Sequence, residues 1–330
     1  MRHVLLMTLV PALAVFSAAC ASTDDDPDPG ADKPAKRVTK EQSSADRDPT
    51  AVKPGYTRIV APVVEQLEPG DDVTRCQYIM APTDQDMDVL DVTGYQSRGG
   101  HHAVAYATQI QAPIGTSRPC EQEDNLLGGF LGGIGGEASA GVKLPEGVAF
   151  RLPKGSAILL NTHFLNTGDE TLEGHTTVDF KFVPADPNRK VASMFINGPL
   201  GFKLSAGSKA QAMAECKLPQ EMKFLLWTNH MHDYGAKAKT EVVRKDGSVE
   251  LVHEDPSWTY EMQFNAVYSK WTLDQPLVIG EGETVRTYCD WMNGTGEEVA
   301  FPREMCFGIG FFISDGSTSP MCLDGRWGKR

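Results

Sequence analysis

Residues 224–232 read Phe-Leu-Leu-Trp-Thr-Asn-His-Met-His, an apolar and aromatic run that closes on two histidines two positions apart. Such side chains suit a pleated, half-buried strand, and no stretch of the chain keeps a long helical repeat. The same grammar recurs on both sides. Ala103-Val-Ala-Tyr-Ala-Thr108, Ala157-Ile-Leu-Leu-Asn-Thr-His-Phe164 and Thr177-Val-Asp-Phe-Lys-Phe-Val183 precede it, and Thr240-Glu-Val-Val-Arg244 and Cys306-Phe-Gly-Ile-Gly-Phe-Phe-Ile313 follow. All are short and bounded by Gly, Pro, Asn or Asp, the residues that punctuate strands. Lys245-Asp-Gly-Ser248 lies between two such runs, a hairpin signal. Many short strands with frequent turns predict an all-β chain of antiparallel β-sandwiches.

Pro184-Ala-Asp-Pro-Asn188 follows a strand with two prolines and polar residues, and marks the boundary between two domains, 51–185 and 186–330. Gly128–Gly141 (GGFLGGIGGEASAG) has no GK[ST] and follows no clear strand, so it is not a phosphate-binding loop. It reads as a flexible surface loop over a site.

The chain opens with Arg2 and His3, an apolar run from Val4 to Phe16, and Ser17-Ala18-Ala19 before Cys20, the form of an export signal over residues 1–20. Small residues directly before a cysteine resemble the lipobox of bacterial lipoproteins, although Ser17 stands where leucine is usual. Cys20 is therefore the expected lipidation site, with a signal lacking lipidation as the alternative. Residues 21–50 include DDDPDPGADKPAK and EQSSADRDP, which offer little to bury and read as an extended tether to a membrane. No segment has the roughly 18 consecutive apolar residues of a membrane-spanning helix. The expected location is outside the cytoplasm, on the periplasmic or cell-surface side. A formal net charge of −13 repels phosphate backbones and argues against a nucleic-acid partner.

Cys76, Cys120, Cys216, Cys289, Cys306 and Cys322 remain once Cys20 is set aside. Six cysteines in an exported chain suggest three disulfides, and spacing alone does not choose their pairing. None forms a CxxC, which disfavours a zinc ribbon.

Histidines carry the chemistry. His101-His102 follows Gly99-Gly100, His163 lies at the end of an apolar strand, and His230-Met-His232 forms an HxH. Residues two apart on a strand share a face, so His230 and His232 can reach one ion. Adjacent His101 and His102 point to opposite faces of a regular strand, and reach one ion only if the backbone twists or bulges after the glycines. His163 would complete that set. The pattern indicates metal and leaves zinc and copper equally open. His175 and His253 fit no ligand pattern and read as surface or hydrogen-bonded residues. Asp233 either orients His232 or opens the Asp233-Tyr-Gly235 turn. Asn293-Gly-Thr295 matches a glycosylation sequon, read as coincidence in a bacterial lipoprotein.

Four motifs together resemble one family. They are HHAVAYAT at 101–108, LPEGVAFRLPKGSAILLNTHFLN at 144–166, TNHMHDYG at 228–235 and CDWMNGTGEEVAFPREMCFGIGFF at 289–312. In this order they are similar to the copper type II, ascorbate-dependent monooxygenases, the peptidylglycine and dopamine hydroxylating enzymes, over most of residues 55–325. The resemblance implies two jelly-roll-like sandwiches facing each other across a cleft, with two coppers per chain. His101, His102 and His163 would hold the electron-supplying copper. His230, His232 and Met305 would hold the oxygen-activating one, where a soft thioether favours Cu(I). It also implies the disulfides Cys76–Cys120, Cys216–Cys322 and Cys289–Cys306. The implied reaction is hydroxylation of a C–H bond with O2 and ascorbate or another one-electron reductant.

The chain departs from the peptidylglycine branch at the substrate. That branch has an arginine two residues before the HxH, where Thr228 stands, and an asparagine and tyrosine where Phe307 and Ile309 stand. Without the bidentate cation a carboxylate substrate is disfavoured. The substrate, a small or apolar molecule, stays unidentified, with Phe307 and Trp227 either lining a more apolar pocket or packing in the core. Two other classes stay open at this level: a copper-binding or copper-buffering surface lipoprotein without turnover, and a structural or adhesion module. Replacing Met305 with Leu separates the three.

Overall fold

A computed structural model describes residues 52–110, 112–120, 128–135, 141–316 and 319–328. Cys20, the signal and the tether lie outside these residues. Strands dominate, and the one helical element among the described residues is a single 3-10 turn, Tyr260–Gln263. The protein is all-β, built of sandwich-like layers.

An eleven-stranded sheet forms the spine. Its main path runs Thr57–Val60, Thr176–Pro184, Met87–Gln96, Val148–Leu152, Lys190–Gly198, Phe307–Ser314, Met222–His230 and Ser269–Lys270. The turn at 185–189 joins Thr176–Pro184 to Lys190–Gly198, with Arg189 N–H donating to Asp186 O. Beyond this turn the chain stays in the same sheet, because Lys190 and Val191 pair in parallel with Val148 and Ala149. A five-stranded sheet is ordered Ser117–Pro119, Asp72–Met80, Ala157–Leu165, Gly100–Thr108, Gly129–Gly135. A four-stranded sheet is ordered Lys209–Lys217, Thr284–Met292, Gly235–Val243, Val249–Asp255.

Strand alternation divides the core between these layers. On Lys190–Gly198, Ala192 and Met194 join a core with Val92, Ala105, Leu131 and Leu160, and hence with the five-stranded sheet. Phe195 turns the other way, onto Trp227, Val242 and Val285, and hence onto the four-stranded sheet. Phe311 and Phe312 repeat the split. Burying each such side chain contributes about 1.5–3 kcal/mol, and a one-residue slip would exchange the faces.

The expected hairpin is present. Arg244 N–H donates to Ser248 O at 2.9 Å, and Gly247 takes φ 86°, where a side chain is strained. All three disulfides implied by the resemblance are formed: Cys76–Cys120, Cys216–Cys322 and Cys289–Cys306. They mark an extracytoplasmic protein. No helix among the described residues is long and apolar enough to cross a membrane.

Two expectations are corrected. The glycine-rich segment is not a surface loop where it is described. Gly129–Gly135 is a strand paired with Gly100–Thr108, and Phe130, Leu131 and Ile134 are buried. Its glycines allow close layering, since a Cβ on Gly132 would lie 2.4 Å from Val92 Cγ2. The HxH, in turn, does not lie wholly on a strand. The strand ends at His230, and His232 sits in the turn beyond it.

Candidate metal centre

The HH pair is shaped as its glycines allow. His102 is the register partner of His163, and the pairing slips between Gly100 and His102, a bulge that follows Gly99 at φ 83°. Consecutive histidines thereby turn to one side. His101 Nδ1 and His102 Nδ1 are 3.0 Å apart. The His163 ring centroid lies 4.7 Å from that of His101 and 5.0 Å from that of His102. One nitrogen from each ring falls within 4.8 Å of the others, the spacing of a metal site.

His230 and His232 reach each other by a different route. His230 pairs with Phe307 on the neighbouring strand, and the turn after it, closed by Gly235 N–H on His232 O at 3.3 Å, returns His232 to its side. Their rings are 5.0 Å apart. Met231, between them, is buried with Trp258 and the Cys289–Cys306 bond. The turn is pinned by Glu304. Its Oε1 accepts the N–H of His232 at 2.6 Å and of Met305 at 2.9 Å, and its Oε2 accepts the N–H of Tyr234 at 3.0 Å. One buried carboxyl thus ties the HxH to the segment carrying half-buried Met305. Burial pushes this carboxyl up to about 7, against the pull of those N–H donors.

The two histidine groups meet, because the His101 and His232 rings are 4.7 Å apart. All five form one contiguous cluster.

Hydrogen bonds fix where the protons sit. Gln263 Oε1 can only accept, so His101 Nε2, 2.8 Å away, carries the hydrogen and its Nδ1 is bare. Asp72 Oδ1 lies 2.5 Å from His163 Nε2, which likewise leaves Nδ1 free. This bond holds Asp72 below the usual carboxylate range. His232 Nδ1 donates to Arg303 O at 3.0 Å, and its Nε2 is buried with no partner. A bare, buried imidazole nitrogen costs about 1–3 kcal/mol of lost hydration unless something binds it. Burial, reinforced by neighbouring histidines, pushes His101, His230 and His232 down to about 3, and His102 well below its ordinary value. Those four rings are therefore neutral near pH 7, as metal ligation requires. The orphaned nitrogen, the fixed tautomers and the imidazole donor set fit a transition-metal ion.

Sequence reading had no means of finding Asp72, Gln263 or Arg303, whose proximity comes from sheet register and turns. Glu304 lies inside the 289–312 motif, next to Met305, and its residue type alone does not mark it as a tie to the HxH turn. Asp233 does not orient His232; its Oδ1 accepts from Gln263 Nε2 at 3.1 Å. Trp227 belongs to the core with Phe195 and Phe224 rather than to a pocket. Thr228 is buried, its hydroxyl on Asn229 O, and it pairs with Ile309. His175 is exposed near Glu173, and His253 is buried against Ser269 and Asp255. Asn293 is buried and donates to the carbonyls of Leu204, Ser205 and Glu297, which accounts for it structurally.

No family model matches the chain, and no curated protein matches it. Among solved structures it is similar to the VP2 subviral particle of infectious bursal disease virus, at 10% identity and a TM-score of 0.21, over 82% of this chain and 75% of that one. It is also similar to vicilin from tomato, at 10% identity and a TM-score of 0.13, over 78% and 74%. At those scores the likenesses carry no argument, and the fold class rests on the strands themselves.

Proposed function

We propose that this chain is a copper-dependent monooxygenase that hydroxylates a C–H bond of an apolar small molecule, using O2 and a one-electron reductant such as ascorbate. The observation that carries the reading is the five-histidine cluster, three of whose rings have a proton held by a partner outside it. His101, His102 and His163 would hold one copper, and His230, His232 and Met305 the other. Copper, when bound, supplies the one-electron steps and the activation of oxygen.

The chain's own residues supply position. Asp72, Gln263 and the Arg303 carbonyl hold protons on His163 Nε2, His101 Nε2 and His232 Nδ1, which keeps the opposite nitrogens as donors. Glu304 sets the distance between the HxH turn and Met305. The Phe264 ring packs edge-on against that of His101, 5.4 Å away. Thr228, buried and already bonded, offers no cation, which favours an uncharged substrate over a carboxylate. A lipid anchor at Cys20 and the tether at 21–50 would hold the folded body at a membrane.

The test is copper stoichiometry after loading and exhaustive dialysis, followed by ascorbate-driven oxygen uptake with apolar substrates. Two retained coppers and uptake lost in Met305→Leu support the monooxygenase. Two coppers with no uptake above free copper leave a buffering protein, and no retained copper leaves a structural module.

A further inference from the structure

The 3-10 turn Tyr260–Gln263 sits over the cluster, and its contacts reach both histidine groups. Trp258, just before it, donates Nε1–H to the carbonyl of His232 at 3.0 Å. Phe264, just after it, packs edge-on against His101. The turn comes close because Gly135 has no side chain: a Cβ there would lie 3.3 Å from Phe264 Cα.

Gln263 itself is buried, and its amide is used from both ends. The carbonyl accepts from His101 Nε2 at 2.8 Å, and the NH2 donates to Asp233 Oδ1 at 3.1 Å. His101 comes from the first half of the chain, whereas Gln263 and Asp233 come from the second, and Asp233 adjoins His232. The amide therefore works as an oriented bridge. Asp233 fixes which end of Gln263 faces His101, and that end fixes the His101 proton on Nε2. Without it, His101 could place its proton on Nδ1, directed at His102 Nδ1 3.0 Å away, and cease to be a donor.

We propose that Gln263 is a positioning residue of the metal centre: it holds His101 as an Nδ1 ligand, so the three-histidine site of the first half is completed by the second. This rests on the copper reading above. Loss of such a partner typically weakens a metal site 10–100-fold.

The experiment uses the full chain with Gln263→Leu and Gln263→Glu, following Cu(I) affinity by competition with a chromophoric chelator and Cu(II) by EPR. In Gln263→Leu one of the two coppers is expected to weaken 10–100-fold with altered hyperfine splitting, while the other is unchanged. Gln263→Glu keeps an acceptor for His101 but sets a carboxyl against Asp233, so it should stay within about threefold of wild type only when paired with Asp233→Asn, whose amide restores the lost donor. Long-range 1H–15N spectra of the metal-free wild type read the tautomer directly, whatever the fate of the leucine variant, and should show His101 protonated at Nε2. Both coppers unchanged in Gln263→Leu, or a His101 protonated at Nδ1, would overturn the positioning role while leaving the copper reading intact. A wild type that retains no copper overturns the copper reading and this role with it.

Discussion

Removing the Glu304 carboxyl should be the most damaging single polar change near the cluster, and its cost can be worked from three bonds. The His232 N–H it accepts is buried, and those of Tyr234 and Met305 are partly so. An orphaned buried donor costs about 1–3 kcal/mol. Taking the upper end for His232 and about 1 kcal/mol for each of the others gives roughly 5 kcal/mol for Glu304→Ala. Against total stabilities of about 5–15 kcal/mol, this loss leaves the variant anywhere from half unfolded to moderately stable. Glu304→Gln keeps one acceptor for the His232 and Met305 donors but sets an NH2 against Tyr234 N–H, so about 1–2 kcal/mol is expected. Urea unfolding of the oxidised, metal-free protein, followed by tryptophan fluorescence, measures both. An alanine variant within about 1 kcal/mol of wild type would refute this assignment of the three donors. So would a glutamine variant as unstable as the alanine one.

Other consequences are equally open to measurement. Asp72→Ala frees the His163 tautomer and should lower copper affinity about 10–100-fold in chelator competition. His102→Leu should abolish copper at the three-histidine site yet leave metal-free stability within about 1 kcal/mol, because His102 has no bond outside the cluster among those seen; a larger loss in urea would point to a structural role. Gly132→Ala, with φ 148° and Val92 in the way, should cost at least about 2 kcal/mol, whereas Gly201→Ala meets no atom within 4 Å and should be within about 0.5 kcal/mol. Loop closure makes Cys216–Cys322, spanning 106 residues, worth about 4.7 kcal/mol, and Cys289–Cys306, spanning 17, about 3 kcal/mol. Calorimetry of the paired serine variants should preserve that order.

Strands could be read directly where side chains carried the signal. Ala103–Thr108 and Thr177–Val183 fall inside strands Gly100–Thr108 and Thr176–Pro184. Gly129–Gly135 escaped because its strand character lies in backbone pairing and in Phe130, Leu131 and Ile134, while its glycines imitate a loop. The bulge at His101-His102 was legible, since Gly99 and Gly100 permit the conformation that a shared ion demands. The geometry of His230 and His232 was not, because spacing of two describes a strand and the strand stops between them. Above all, local sequence could not show that His101 and His232 touch. Their contact is made by the packing of segments more than a hundred positions apart.

A purely structural cluster of this kind would be costly. Five imidazoles occupy one neighbourhood, burial and mutual repulsion hold four of them neutral, and at least one nitrogen is orphaned. Apolar side chains of similar size would fill that volume without unsatisfied donors or acceptors. The partners outside the cluster point the same way. Asp72, Gln263 and the Arg303 carbonyl each take a ring proton on the side away from a neighbouring imidazole, although histidines packed for their own sake gain equally from either tautomer. An arrangement that spends stability to keep lone pairs inward, in rings that do not protonate near neutral pH, is accounted for by an ion that returns the energy on binding.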